Sequence, residues 1–237
     1  VLKQLAMLLS PDEWQAVRLS LKVAAVATVC ALPWALAVAW ALARGRFPGK
    51  TLLDSLVHLP LVLPPVVVGY LLLLSFGRRG PLGAWLEASF GLVFSFRWTG
   101  AALACAVMGF PLMVRAIRLS IESVDPRLER AAATLGATPL KAFLTVTLPL
   151  ALPGVLAGAV LCFAKALGEF GATITFVSNI PGETQTLPSA IYSATQTPDG
   201  DAVALRLTLV CIMVSVAALA VSEWLARRVR RTVSGIE

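Results

Sequence analysis

The chain has 237 residues, of which 58% are hydrophobic and only 14% charged, with a formal net charge of +7. A soluble domain carries about 25% charged residues, so this composition, with a mean hydropathy of +0.82, excludes an ordinary water-soluble enzyme. Lys and Arg are distributed over the connections between apolar stretches, a pattern of membrane topology that argues against nucleic acid as a partner.

Five stretches carry no formal charge: 23–43, 55–77, 98–114, 142–164 and 207–222. A helix rises about 1.5 Å per residue, so roughly 20 apolar residues cross the hydrocarbon core. In lipid every backbone N–H and C=O must be bonded within its own segment, so these stretches are expected to be helices of a polytopic bundle. The last is the shortest and reaches full length once Arg206 and Glu223 extend toward the headgroups.

Residues 1–16 are expected to form a short amphipathic lead-in on the outer interface, where Pro11, Asp12 and Glu13 offer a helix start before Trp14. Ala41-Leu42-Ala43 resembles a signal-peptide cleavage site, but the preceding apolar run is too long and the basic cluster follows it, so it reads as the first span. The connection at 44–54 contains Phe47-Pro48-Gly49, a turn signal. Gly45 to Thr51 superficially resembles a phosphate-binding loop, yet its glycines are one residue too close and it follows a membrane helix.

Pro60, Pro64 and Pro65 predict that the first half of the second span is not a regular helix. His58, the only histidine, reads as a hydrogen-bonded structural residue. Residues 78–97 read as an interfacial hairpin. Between the fourth and fifth spans, 178–184 is dense in turn formers, and the apolar run 187–194 is too short to cross. Cys30, Cys105, Cys162 and Cys211 fall in four different spans, which excludes a metal-ligand spacing. Without paired acids or an activated nucleophile in any span, no catalytic residue, metal or cofactor is expected.

Alternate connections share a side of the membrane. One set holds Arg44, Arg46, Lys50, Arg115, Arg118, Arg127, Arg130, Lys141 and the Arg-rich tail. The other holds fewer cations, among them Arg18, Lys22, Arg78, Arg79 and Arg97. Positive charge stays inside, which predicts the N-terminus outside and the C-terminus inside.

The longest inner connection carries the most informative local pattern. Asp125-Pro126 is an N-cap followed by a proline suited to the first helical turn, Gly136 suits a left-handed stop, and Thr138-Pro139 starts a second helix. The expected product is two helices joined by a sharp turn, with the small residues Ala131 to Ala133 allowing close approach of another surface.

This segment resembles the EAA loop of permease subunits in ABC importers. Ala131-Ala132, Gly136 and then Val146-Thr147-Leu148-Pro149 stand at the motif's spacing. The sequence departs from the motif in placing Arg130 at the acidic position, with Glu129 one residue earlier, and Val146 for Ile. Further blocks around Trp14-Gln15-Ala16-Val17, 58–70, 110–118 and 168–184 look like bacterial molybdate permeases, and the resemblance covers nearly the whole chain.

The resemblance implies an all-α polytopic helical bundle of the type I ABC importer permease fold. It implies five spans, or six if an interfacial or re-entrant helix is counted. Residues 1–237 would form a single transmembrane domain, with a cytoplasmic coupling segment at 125–146. The implied function is translocation of molybdate, or alternatively sulfate or tungstate, by alternating access driven by a partner ATPase. An uncoupled channel or receptor would leave the doubly capped inner segment without a purpose.

Implied partners are two cytosolic ABC ATPase subunits, a second copy of the permease, a periplasmic oxyanion-binding protein and the lipid bilayer of the bacterial inner membrane. The coupling residues would be Glu129, Arg130, Ala131, Ala132, Gly136 and Pro139, with either Glu129 or Arg130 meeting the partner. Thr173, Thr175, Ser178, Asn179 and Lys165 are candidates along the anion path. Lys165 is one helical turn from Glu169, so an i,i+4 pair is expected there.

Overall fold

The computed structural model describes the backbone of residues 9–234 and the side chains of 9–221 and Trp224. Residues 1–8 of the expected lead-in, and the side chains of Arg227, Arg228, Arg230 and Arg231, lie outside the described residues. Among the described residues the regular elements are all helices.

Helix α1 (Pro11–Arg44) opens with a capping box: the Glu13 N–H donates to Ser10 Oγ at 3.3 Å, and the Ser10 N–H donates to Glu13 Oε2 at 2.6 Å. It then runs unbroken for 34 residues, about 51 Å. Residues 11–16 are therefore the first turns of the span rather than a separate interfacial element. No helix breaker lies between Trp14 and Val23, and Glu13 is held down by Arg206, whose Nε and Nη2 donate to Glu13 Oε1 at 3.1 and 2.5 Å.

The second expected span divides into α2 (Lys50–Val62) and α3 (Pro65–Phe76), whose axes differ by 115°. Its first half is a regular helix despite Pro60, contrary to the expectation from sequence. Pro60 lies in the last turn of α2, where the missing N–H costs one bond. The break comes at Leu63 and Pro64, each followed by a proline, which disfavours helical backbone in the residue before it. Both are extended, with ψ of 142° and 134°. Asp54 of α2 meets Arg118 near one end of the bundle, while Phe76 of α3 meets Phe94 near the other. The pair therefore crosses the bundle as one broken span.

Helix α4 (Pro81–Phe90) is short, about 15 Å, and buries only Gly83. Helix α5 (Trp98–Ser123) is followed by α6 (Pro126–Thr134) and α7 (Pro139–Ala142). A π-helical turn, Phe143–Thr147, then leads into α8 (Leu148–Leu167). Helices α9 (Gly171–Val177), α10 (Leu187–Thr195) and α11 (Asp201–Ser234) complete the order.

Among the described residues, four segments are each long and apolar enough to cross a membrane: Pro11–Arg44, Trp98–Ser123, Pro139–Leu167 and Asp201–Val221. The α2–α3 pair makes a fifth. Helices α1, α5 and α8 form the centre, α8 antiparallel to α5. Gly109 and Gly158 lie in the α5–α8 contact, where a Cβ on either would collide with Cys162 or with the Met113 backbone. Small residues let membrane helices approach this closely, because packing rather than water exclusion drives their association. The core on this axis includes Ala35, Ala39, Met113, Val114, Ile117, Ala151 and Cys162. All four cysteines are free, and Cys105 and Cys162 are buried as small apolar residues.

Candidate functional site

At the end of the bundle where α1 and α5 terminate, α6 and α7 form an elbow. Asp125 Oδ1 accepts from the Arg127 N–H at 2.8 Å, starting α6 behind Pro126. Gly136 takes φ of +85°, the left-handed conformation that turns the chain. Thr138 Oγ1 accepts from the Lys141 N–H at 3.3 Å and starts α7 behind Pro139. The cap-and-proline pattern thus dictates the elbow directly.

What fixes the elbow to the spans is a latch. Glu129 Oε1 accepts from Thr147 Oγ1 at 2.6 Å and from Arg44 Nε at 3.0 Å, and Arg44 Nη2 donates to the Val124 carbonyl at 2.7 Å. Thr147 is completely buried. The π turn that presents it also carries Phe143, whose ring centroid lies 5.3 Å from that of Trp40. Helices α1, α6 and the π turn leading into α8 therefore meet at one carboxylate, which ties the elbow to both spans.

Glu129 is thereby turned inward, while Arg130 is exposed. Ala132, three residues on and on the same side as Glu129, is partly covered; Ala131 and Ala133 are exposed. Leu128 and Leu140 are also exposed, and Leu135 is 89% exposed, the most of any large apolar side chain among the described residues. It sits on a segment that also carries Arg127, Glu129 and Arg130, and exposed apolar surface among charges is a feature of interaction sites. Gly136 and Pro139 shape the turn beneath it.

Each hydrogen bond to the Glu129 carboxylate is worth about 1.5–3 kcal/mol. Glu129→Ala is therefore expected to loosen α6 and to raise tryptic cleavage after Arg127 and Arg130 by about tenfold, a factor that corresponds to about 1.4 kcal/mol. Unchanged cleavage would mean that the latch does not hold the elbow.

A second arrangement lies toward the opposite end. Helix α8 stops at Leu167 and the chain restarts as α9, so this segment, like α2–α3, is discontinuous. The Glu169 carboxylate is buried; Oε1 accepts from the Ala172 N–H at 3.0 Å and Oε2 from Lys165 Nζ at 2.7 Å. The expected Lys165–Glu169 pair is present. Helices α9 and α3 pack against each other at Gly69, where a Cβ would lie 2.5 Å from the Ala172 carbonyl oxygen and 2.9 Å from Ala172 Cα. Interrupted backbone of this kind is tolerated in a membrane where protein or a water-lined cavity satisfies it.

The other candidate anion-path residues divide. Thr173 is buried and its hydroxyl donates to the Phe170 carbonyl at 2.9 Å; Thr175 donates to the Gly171 carbonyl at 2.9 Å. Both hydroxyls thus bond back to their own helix. Ser178 is exposed, with φ of 66° and ψ of −160°, a region adopted essentially by glycine and costing about 1–3 kcal/mol. Asn179 Nδ2 donates to Ser193 Oγ at 2.5 Å, and Asn179 Oδ1 is buried without a hydrogen-bond partner among the described residues. The structure gathers Lys165, Thr173 and Thr175 around the α8–α9 break and places Ser178 and Asn179 beyond the end of α9.

Sequence reasoning missed the Arg44–Glu129–Thr147 latch and the capping of α9 by Glu169. The second was within reach, since an acid three residues before Ala172 is a helix-start signal. The first joins residues 85 positions apart and had no local signature.

The family profile described as "Binding-protein-dependent transport system inner membrane component" matches residues 31–231. The chain is 61% identical over 221 residues to the molybdenum transport system permease protein ModB of Escherichia coli (strain K12), covering 93% of this chain and 96% of that one. It is 39% identical over 183 residues to the sulfate transport system permease protein CysT of Escherichia coli (strain K12), covering 77% and 66%. Among solved structures, a bacterial ABC transporter involved in the import of the acidic polysaccharide alginate superposes with a TM-score of 0.71 at 17% identity, covering 95% of this chain and 82% of that one. Its bundle of apolar helices, its matched profile and its near full-length relatives show that the chain belongs to the family of binding-protein-dependent transport system inner membrane components.

Proposed function

We propose that the chain is the membrane-spanning subunit of an ATP-driven importer and moves molybdate across the bacterial cytoplasmic membrane by alternating access. The observation that carries this reading is the elbow: an exposed apolar and alanine face, with Leu135 at its tip, latched through Glu129 to two spans. A surface that needs a partner, rigidly joined to the helices that must move, suits energy delivered from another subunit.

In this reading two copies assemble with two cytosolic ATPase subunits, and the elbow sits in a groove on each ATPase. Segment 125–146 is the coupling part of one transmembrane domain. Leu128, Ala131 and Leu135 make the contact, Arg130 lies at its edge, and Glu129 transmits movement to α1 and α8. Ala132, on the covered side, sets how closely α6 lies against the bundle. The elbow faces the cytoplasm, so the N-terminus is outside and the C-terminus inside, as the greater number of cations at the elbow end supports.

An external binding protein delivers the anion at the opposite end. The broken pairs α2–α3 and α8–α9 border the path. Lys165 offers positive charge there that Glu169 largely neutralises. The path therefore holds the anion weakly, which suits passage, since a deep site would trap the ion. Higher identity to molybdenum than to sulfate permeases supports molybdate as cargo.

Uptake of labelled molybdate by the reconstituted complex tests the assignment. ATP-dependent uptake is expected, competed by tungstate and resistant to an excess of sulfate. Uptake of sulfate in preference to molybdate would assign the chain to the sulfate branch, and equal uptake without ATP would reject coupling.

A further inference from the structure

We propose that a cavity beside α3 and α4 holds the phosphodiester headgroup of an anionic phospholipid, in the leaflet far from the α6–α7 elbow. The cavity, of about 340 Å³, is lined by Leu73, Leu74, Arg78, Arg79, Ser95 and Phe96, together with Gly77 and Gly80. Arg78 and Arg79 occupy the two central positions of the turn closed by the Gly80 N–H donating to the Gly77 carbonyl at 2.8 Å. Both are exposed, and neither makes an ion pair among the described residues.

Ser95 supplies an independent indication of a ligand. It is only 4% exposed, it lines this cavity, and its hydroxyl has no hydrogen-bond partner among the described residues. No protein group among the described residues satisfies this hydroxyl, so a ligand oxygen reaching it would gain a hydrogen bond without displacing one. The neighbouring Phe96 has φ of 58°, an outlier for a bulky side chain. Ser95 is buried at this cavity and Phe96 beside it is exposed.

Arg and hydroxyl donors around one small volume suit a phosphate-type anion. The walls decide which kind. Leu73 and Leu74 make one side of the cavity apolar, which a free, fully hydrated oxyanion has no use for and a lipid glycerol and acyl chain fit. Helix α4 beside it is nearly all exposed and carries Leu82, Trp85 and Phe90 outward, with Trp85 and Phe90 in edge-to-face contact at 5.7 Å. A short exposed helix with an aromatic surface belongs at the membrane interface, the depth of the headgroups. The inference depends on membrane insertion alone and stands apart from the transported anion.

Native mass spectrometry of the full-length permease, equilibrated in micelles with equal phosphatidylglycerol and phosphatidylcholine, tests it. The expected result is retention of one phosphatidylglycerol per chain, favoured about tenfold over phosphatidylcholine, as about 1.4 kcal/mol of charge-assisted contact gives. The double variant Arg78→Gln, Arg79→Gln should bring the preference to about one, and Ser95→Ala should reduce it about threefold, as for one neutral hydrogen bond. The pair Arg78→Lys, Arg79→Lys should keep part of the preference, and Arg46→Gln, at the elbow end, all of it. Equal retention of the two lipids by the unaltered protein, or undiminished preference in the double Gln variant, overturns the proposal. So does displacement of phosphatidylglycerol by millimolar inorganic phosphate, which would make this a site for a free anion. Capture of an acidic soluble protein by these arginines without lipid preference would overturn it equally.

Discussion

Leu135→Asp is expected to abolish coupled uptake while leaving the bundle folded. The Leu135 side chain is 89% exposed, so its replacement removes almost no internal packing. In the proposed docking it is the tip that enters the ATPase groove. Burying a leucine is worth about 1.5–3 kcal/mol, and a carboxylate in its place adds the cost of desolvating a charge. Association with the ATPase should weaken by about 10–100-fold, each 1.4 kcal/mol being tenfold. Co-purification with the ATPase subunit measures this, and an unaltered detergent elution profile shows that folding is retained. Full association and uptake in the variant would remove Leu135 from the interface.

Gly69→Val is expected to stop transport by a different route. The added Cβ would lie 2.5 Å from the Ala172 carbonyl oxygen and 2.9 Å from Thr175 Cβ, so α3 and α9 must separate. The Ala172 backbone is itself tied to the buried Glu169 carboxylate and cannot yield alone. Overpacking of this kind costs about 1–3 kcal/mol. If the two half-helices move as a unit, the cost falls on the conformational change, and uptake should drop by about tenfold or more while the complex still assembles. Normal uptake would show that α3 and α9 do not need this contact during the cycle.

The spans were legible because charge and length are local properties: an uncharged run of about 20 residues leaves little choice of solvent. The elbow was legible for the same reason, since Asp125-Pro126, Gly136 and Thr138-Pro139 each specify backbone within a few residues. The broken span was legible in outline only. Three prolines predicted an interruption, but one proline in the last turn of α2 is tolerated, and the consecutive pair Pro64-Pro65 set the break.

Side-chain destinations were less accessible. Glu129 and Arg130 differ by one residue, about 100° around a helix. Choosing between them required knowing where α1 ends and that a π turn delivers Thr147 to the same point. Thr173 and Thr175 are candidates along the anion path in the sequence, whereas in helical backbone each has a carbonyl three or four residues earlier to bond. The positive φ at Ser178 had no sequence signal, because serine is not a residue that asks for it.

The most direct test of the account is the position of residue 135 relative to the membrane and to the ATPase. In a Leu135→Cys variant whose four native cysteines are replaced by alanine, the thiol should resist a membrane-impermeant maleimide applied outside intact cells. In inverted vesicles it should react, and it should cross-link to the ATPase subunit in the assembled complex. Labelling from the outside of intact cells, or cross-linking to the external binding protein instead, would place the elbow on the wrong side of the membrane and contradict the account.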